Sequence, residues 1–306
     1  MNRFIRPFLY VAFGFFAFLV FVLLLFPYEG VKSRLIGEME RGLGDRYRVS
    51  IESLRPSPLA GIVLKGISIQ EIETSQPVLT LEKASVRLRL FPLLWGSVRT
   101  RFNLVAGKSF LEGKIRSSAG GYQMDFNLKQ FDFNDFPLLK VKYGLQLASQ
   151  MDGKATFEYY PNEPIRQKGN LEIQIRSFDL LESKVPIGEG ATVIPFDLPA
   201  LKLAGGPTPS LLHLSMEKGK VEFDSLTLKG GDLETDLKGK LYLARGVGDS
   251  RLSLHGDFSL SDKAIKDLPF LILIEKEKKE DGKYPLGVSG RLSKPTVRVG
   301  MMALPF

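Results

Sequence analysis

The stretch G-Y-Q-M-D-F-N-L-K-Q, residues 121–130, decides the fold class. Apolar and polar side chains alternate along it, and the apolar ones are Tyr122, Met124, Phe126 and Leu128. A period of two residues places one face of a β-strand in an apolar environment and the other in water. The stretch therefore predicts an amphipathic strand in an antiparallel sheet.

The same alternation recurs on both sides of this stretch, with turn glycines between the repeats. It begins with short alternating runs around Val49–Ile51, Leu64–Ile69, Leu79–Leu81 and Val86–Leu90. Further predicted strands are Val98–Val105, Phe110–Arg116, Leu145–Met151, Ala155–Tyr159, Leu171–Ile175, Leu211–Met216, Lys220–Leu228, Leu233–Leu243, Arg251–Leu260 and Tyr284–Val299. A spacing of roughly ten residues per strand is typical of sandwiches, barrels and long curled sheets. We predict a mainly β fold built on a large curled antiparallel sheet.

Residues 8–26 form an uncharged segment of aromatic and aliphatic side chains. At about 1.5 Å per residue, such a helix spans a hydrocarbon core of about 30 Å. Arg3 and Arg6 precede it, so the positive-inside rule keeps residues 1–7 in the cytoplasm and places residues 27–306 outside. A cleaved signal peptide is the alternative, but its apolar core is usually shorter and ends in small residues, whereas this run ends Leu25-Phe26-Pro27.

Two helical segments interrupt the strand pattern. Residues 29–41 predict a short amphipathic helix, because Val31, Leu35 and Met39 share one face at helical spacing. Residues 261–279 predict a second helical segment, with Ser261 or Asp262 as its N-cap and a kink or break at Pro269. The proline-rich stretch 182–209 predicts a long connection with one or two short strands. It leaves open whether the strands form one sheet or two.

The composition narrows the classes of protein. Hydrophobic residues make up 44% and charged residues 25%, which excludes a disordered or polytopic membrane chain. The absence of cysteine excludes disulfides, thiolate nucleophiles and cysteine-ligated zinc. The formal net charge is +8, with Lys and Arg spread along the sequence. Such a charge favours either a domain that resists aggregation or one attracted to anionic lipid or an acidic partner.

The residues that could carry chemistry form no recognisable motif. His213 and His255 each lie between leucines in a strand pattern, which is typical of ordinary strand residues. No metalloprotease, nucleophile-elbow or phosphate-loop motif occurs. We assign no catalytic, cofactor-binding or metal-binding residue, and predict neither enzymatic activity nor nucleic-acid binding.

Two further features of the sequence, its carboxylate pairs and its single tryptophan, do not indicate a function by themselves. The carboxylate pairs Glu71/Glu73 and Asp132/Asp135 are expected by chance in a chain with 34 acidic residues. Trp95, within F-P-L-L-W-G, is either a core anchor or part of an exposed apolar loop that docks a partner or membrane.

Several segments resemble known envelope proteins. The order of membrane helix, short helix, D-R-Y-R-V-S-I (residues 45–51) and L-A-G-I-V-L-K-G-I-S-I (residues 59–69) resembles the N-terminus of AsmA-like envelope proteins. Three later stretches make the resemblance more specific: L-T-L-K-G-G-D-L (226–233), G-K-L-Y-L (239–243) and Y-P-L-G-V-S-G-R-L-S-K-P (284–295). Over nearly its whole length the chain resembles the type II secretion system protein N family. These are strand and turn patterns, so they carry over no functional residue.

The resemblance implies a non-enzymatic accessory or scaffold subunit of the type II secretion system. Such a subunit would be a single-pass protein of the bacterial inner membrane whose bulk contacts other secretion-system components in the periplasm. The AsmA-like resemblance implies an alternative, in which an apolar groove of the sheet binds or transfers lipid. A third hypothesis, an anchored enzyme, requires a polar cluster that the sequence does not display.

Overall fold

The computed structural model describes residues 27–44, 46–57, 61–89, 96–118, 120–161, 166–187, 194–244 and 246–304, with a few single positions elsewhere. Residues 1–7, most of the predicted span 8–26, and Trp95 lie outside the described residues. Among the residues that are described, no helix has both the length and the apolar character needed to cross a bilayer.

The described chain is mainly β, as predicted, and its strands form a large antiparallel sheet that does not close on itself. The strands of the first half are β1 Tyr47–Ser57, β2 Gly61–Glu71, β3 Pro77–Leu88, β4 Arg99–Ala106, β5 Ser109–Ser118, β6 Gly121–Phe131, β7 Leu147–Tyr159 and β8 Lys168–Leu180. Those of the second half are β9 Ser183–Ile187, β10 Ile194–Leu198, β11 Leu201–Ala204, β12 Ser210–Glu217, β13 Lys220–Leu228, β14 Leu233–Tyr242, β15 Arg251–Leu260, β16 Tyr284–Arg291, β17 Lys294–Val299 and β18 Met302–Leu304.

Neighbours in sequence are neighbours in the sheet. The order runs from β1 to β8, then from β12 to β18, and β11 also pairs with β8. The proline-rich stretch does not divide the sheet, because β8 pairs directly with β12 from Ile175↔Ser210 to Lys168↔Glu217. That stretch carries three short strands rather than the one or two predicted, and β9 and β10 form a separate hairpin.

The predicted strands Leu145–Met151 and Ala155–Tyr159 are two halves of β7, so their separation was wrong. The intervening D-G-K segment looks like a turn in the sequence. It remains extended because Gly153 pairs with Leu128 on one side and Ile173 on the other. A glycine inside a strand permits a close approach of neighbouring groups, and a Cβ at Gly153 would lie 3.2 Å from Ile173 Cγ1.

Helix α1, Tyr28–Leu43, confirms the first predicted helix and ends at Gly44, whose φ is +86°. Its apolar side chains pack against the buried cluster of β1–β3 that includes Ile51 and Ile67. It also covers the edge strand β1, because Glu40 Oε1 accepts a 2.9 Å hydrogen bond from the Val49 amide. The occupied amide blunts β1 as an edge at this one position.

The second predicted helical segment is split as expected. Helix α3, Asp262–Asp267, is capped by Ser261, whose Oγ accepts from the Ala264 amide at 3.1 Å. A 3₁₀ helix, Pro269–Glu277, follows directly. The remaining helical elements were not predicted: the 3₁₀ turns Phe133–Asp135 and Val247–Asp249, and the short helix α2, Leu138–Tyr143.

Candidate functional site

The strand register separates an apolar face of the sheet from a charged face. Residues that pair directly across strands share a face. Phe102 pairs with Gly113, Gly113 with Phe126, and Phe126 with Ala155. Beyond β8 the same face continues through pairs such as Leu171↔Leu214 and Leu237↔Leu226. One face is therefore apolar across strands that are far apart in sequence.

An aromatic ladder crosses the apolar face. The ring centroids of Phe102 and Phe126 lie 5.9 Å apart, and those of Phe126 and Phe157 lie 6.2 Å apart, both edge-to-face. Gly113 lies beneath this ladder, and a Cβ there would overlap the Phe102 ring; Gly169 stands in the same relation to Phe157. The two glycines therefore allow the rings to lie across adjacent strands.

Other parts of the molecule cover the apolar face only in places. Helix α1 covers β1–β3, while α3 and the 3₁₀ helix pack against Leu180, Phe258 and Tyr284. Between these regions lies a set of partly exposed side chains, here called the apolar strip: Phe102, Met124, Phe126, Phe157, Leu214 and Phe223. The strip is a continuous apolar surface that an acyl chain or a protein partner could contact.

The charged face carries ion pairs both within one strand and between neighbouring strands. Lys220 Nζ lies 2.5 Å from Glu222 Oε1, and this hydrogen bond lowers the pKa of Glu222 and raises that of Lys220. One open cleft of about 820 Å³ on this face is lined by charged residues such as Lys168 and Glu217, whose side chains lie 3.7 Å apart. Such exposed pairs contribute little to stability.

The two histidines lie on different strands and do not form a site together. His213, on β12, places Nδ1 3.3 Å from Asp224 Oδ2 on the charged face. His255, on β15, pairs with Lys238 and Gly287. Within the described part of the chain, no group of three side chains is arranged to hold a metal ion.

Three of the four carboxylates in the pairs Glu71/Glu73 and Asp132/Asp135 accept hydrogen bonds at turns of the backbone. Asp135 Oδ2 accepts hydrogen bonds from the Lys108 and Ser109 amides at 3.1 and 3.0 Å and from Ser109 Oγ at 2.7 Å. Asp132 Oδ1 accepts from the amides of Asn134 and Ser149. Glu71 Oε2 accepts from the Thr74 hydroxyl, and Glu73 is exposed in the same turn.

Asp232 has a comparable structural role next to α3. Its Oδ1 accepts from Ser261 Oγ at 2.7 Å, and its Oδ2 accepts from the Lys202 amide at 2.9 Å. The Ser261 hydrogen bond, followed by the Lys202 amide, holds the pKa of Asp232 below its usual value. The carboxylate thereby ties together β11, β14 and the start of α3.

The sequence interpretation missed how strand pairing gathers basic residues. Arg87 and Arg89 alternate with Val86, Leu88 and Leu90, but the basic side chains were treated as spread along the sequence. In the sheet, Arg87 pairs with Arg101, and Arg99 pairs with Arg116. The signal in the sequence is the recurrence of basic-x-basic steps in adjoining strands.

The fold and its surfaces define an open antiparallel sheet with one apolar face, whose first strands are covered on that face by a helix. Comparisons with protein-family models, with curated proteins and with solved structures each found no match.

Proposed function

We propose that this chain is a non-enzymatic accessory or scaffold subunit of the type II secretion system. Residues 8–26 would anchor it in the bacterial inner membrane, and the β-rich domain of residues 27–306 would contact other secretion-system components in the periplasm. Two things support this: the resemblance in strand and turn patterns over nearly the whole chain, and the apolar strip. The strip carries the proposal, because it offers a partner a continuous apolar surface.

The occupied amide of β1 makes strand addition less favourable at that part of the edge. The Glu40 side chain already occupies the Val49 amide of β1. A partner would instead meet the strip, or the opposite end of the described sheet at β17 and β18, next to the 95% exposed Met301. Both contacts belong to known ways in which sheets bind other chains, through an apolar surface or through strand addition.

Deletion of the gene in its native host tests the proposal. We expect secreted folded enzymes to fall in the medium while the outer-membrane barrier to a large antibiotic stays intact. Normal secretion in the deletion strain would overturn the secretion role.

Complementation of the deletion strain with point variants tests whether the apolar strip is the surface that secretion requires. Leu214→Asn places an amide in the apolar strip, whereas Ser215→Asn places the same group one residue further on, on the charged face. With equal protein levels on immunoblots, we expect Ser215→Asn to restore secretion and Leu214→Asn to fail. Full restoration by both variants would exclude the strip as the contact surface.

A second candidate function is lipid binding, which the aromatic and aliphatic character of the strip favours. Native mass spectrometry of the protein purified from membranes should then show bound phospholipid, and Leu214→Asn should lose it. The deletion strain should admit the antibiotic while secretion remains normal. An intact barrier together with a lipid-free protein would reject this candidate.

A further inference from the structure

Six basic side chains meet at one end of β3–β5 on the charged face. They form what is here called the basic patch: Arg87, Arg89, Arg99, Arg101, Lys114 and Arg116. All except Arg87 line one shallow cleft of about 190 Å³. The patch is assembled by strand pairing, since its members come from the ends of three different strands.

The patch contains like charges directly opposite one another. Arg101 pairs with Arg87 on one side and Lys114 on the other, and Arg99 pairs with Arg116. Cross-strand pairs of this kind destabilise a sheet, because their β-carbons lie only about 5 Å apart. An anion placed among them would relieve this repulsion.

Carboxylates neutralise the patch only in part. Glu112 Oε1 is shared between Arg101 Nε at 3.5 Å and Lys114 Nζ at 3.7 Å. Asp125 Oδ2 lies 3.6 Å from the Arg116 guanidinium. The two carboxylates therefore face six cations, and the excess positive charge is exposed to solvent.

The patch lies at the same end of the sheet as the start of α1. Lys32 Nζ contacts the Glu52 carbonyl while Glu40 contacts Val49, so α1 runs antiparallel to β1. Its first turn is therefore directed toward the Ser57 end of β1. Gly61 links that end to the patch, because it pairs with both Ser57 and Arg87.

We propose that the basic patch binds the phosphate groups of anionic phospholipids and so docks the β3–β5 end of the sheet on the membrane from which α1 emerges. Arginine forks match phosphate oxygens in geometry and charge. The inference rests on the membrane attachment in the proposed function, but it does not require a role in secretion. It adds a contact with the lipid surface that the anchor alone does not supply.

The test uses the full chain in lipid nanodiscs. Because the protein has no cysteine, Ser97→Cys gives a single site, two residues before Arg99, for an environment-sensitive fluorophore. Discs contain phosphatidylcholine alone or phosphatidylcholine with phosphatidylglycerol. We expect a blue-shifted emission, quenched by brominated lipid, only in the anionic discs, and its reversal when salt is raised.

Charge reversal then tests the patch itself. The triple variant Arg89→Glu/Arg99→Glu/Arg101→Glu should weaken docking roughly tenfold or more, given the attraction of each basic residue to an anionic leaflet. It turns the pairs of Arg101 with Arg87 and Lys114, and the pair of Arg99 with Arg116, into opposite-charge pairs. Against this, Arg89 and Arg99, which face each other across β3 and β4, stay alike in charge, and Glu112 loses Arg101 as a partner. These effects oppose one another, so the thermal midpoint should stay close to the parent's. The loss of docking is then separable from unfolding.

The matched control carries the same change in charge at the other end of the strands. Lys129→Glu/Lys140→Glu/Lys266→Glu alters three exposed lysines and should dock like the parent. Equal emission in both disc types, full docking by the patch variant, or equal losses in both variants would overturn the inference. If the chain co-eluted with neither kind of disc, the membrane attachment in the proposed function would itself be wrong. A chain that co-elutes with the discs but does not dock through the patch would refute only the inference drawn here.

Discussion

Replacing Phe126 by alanine tests whether the apolar strip is open in the protein on its own. Fully buried phenylalanines cost about 3–5 kcal/mol when truncated to alanine. Phe126 contacts the rings of Phe102 and Phe157, and each such contact is worth about 0.5–1.5 kcal/mol. The side chain is partly exposed, so only part of its transfer free energy is lost. We expect the free energy of unfolding to fall by about 2 kcal/mol.

Phe258 supplies the matched substitution on the same face. It is only 8% exposed, its ring stacks on Tyr284 at 5.2 Å, and Ile274 of the 3₁₀ helix packs in the same cluster. Phe258→Ala should therefore cost about 3–5 kcal/mol. The assay is urea unfolding of the full chain in phosphatidylcholine nanodiscs, followed by far-UV circular dichroism, because free detergent would compete for the strip. Equal losses in the two variants would show that the strip is as covered as the core, and would refute both functions proposed for it.

Three further predictions concern the polar contacts that shape the sheet. Asp135→Asn should lower the free energy of unfolding by about 2 kcal/mol in the same assay, because the carboxylate accepts three hydrogen bonds from the β4–β5 turn, two of them from Ser109. Ser261→Ala should cost about 1 kcal/mol and speed amide exchange in the first turn of α3, since it removes the N-cap; unchanged exchange would contradict that role. The folded pKa of Asp232 is lowered, so its stabilisation is complete above the unfolded pKa of about 3.9 and is lost as pH falls through the folded value. The stability difference between the parent and Asp232→Asn should therefore shrink as the pH falls from about 6 to about 3, and a constant difference would refute this coupling.

Local signals in the sequence predicted much of the fold. The period-two pattern of residues 121–130 gives β6, the helical spacing of Val31, Leu35 and Met39 gives α1, and Pro269 gives the break after α3. Each depends on contacts within a few residues. The continuity of β7 through Gly153 was missed, because it depends on pairing with Leu128 and Ile173, which lie twenty or more residues away in the sequence.

The candidate surfaces were harder to predict for the same reason. Whether Phe126 meets Phe102 depends on strand register, and a shift of one residue would turn either ring to the opposite face. The basic patch likewise requires Arg99 to meet Arg116, a pairing fixed by the β4–β5 turn. The composition of the chain gives the number of basic residues, but it does not show which of them lie next to one another in the sheet.

The two proposed surfaces have a geometric relation that bears on the choice between the candidate functions. Arg101 and Phe102 are adjacent on β4, so their side chains point to opposite faces of the sheet. In the end-on docking proposed above, the strands stand on the bilayer, and the strip, on the face opposite the patch, is open to the periplasm. A periplasmic protein would meet the strip directly, and a lipid would reach it at Phe102, one residue from the patch. Docking therefore serves either function, and the patch variant decides between them. Loss of secretion with lipid still bound to the strip would support the scaffold, whereas loss of bound lipid with normal secretion would support lipid binding.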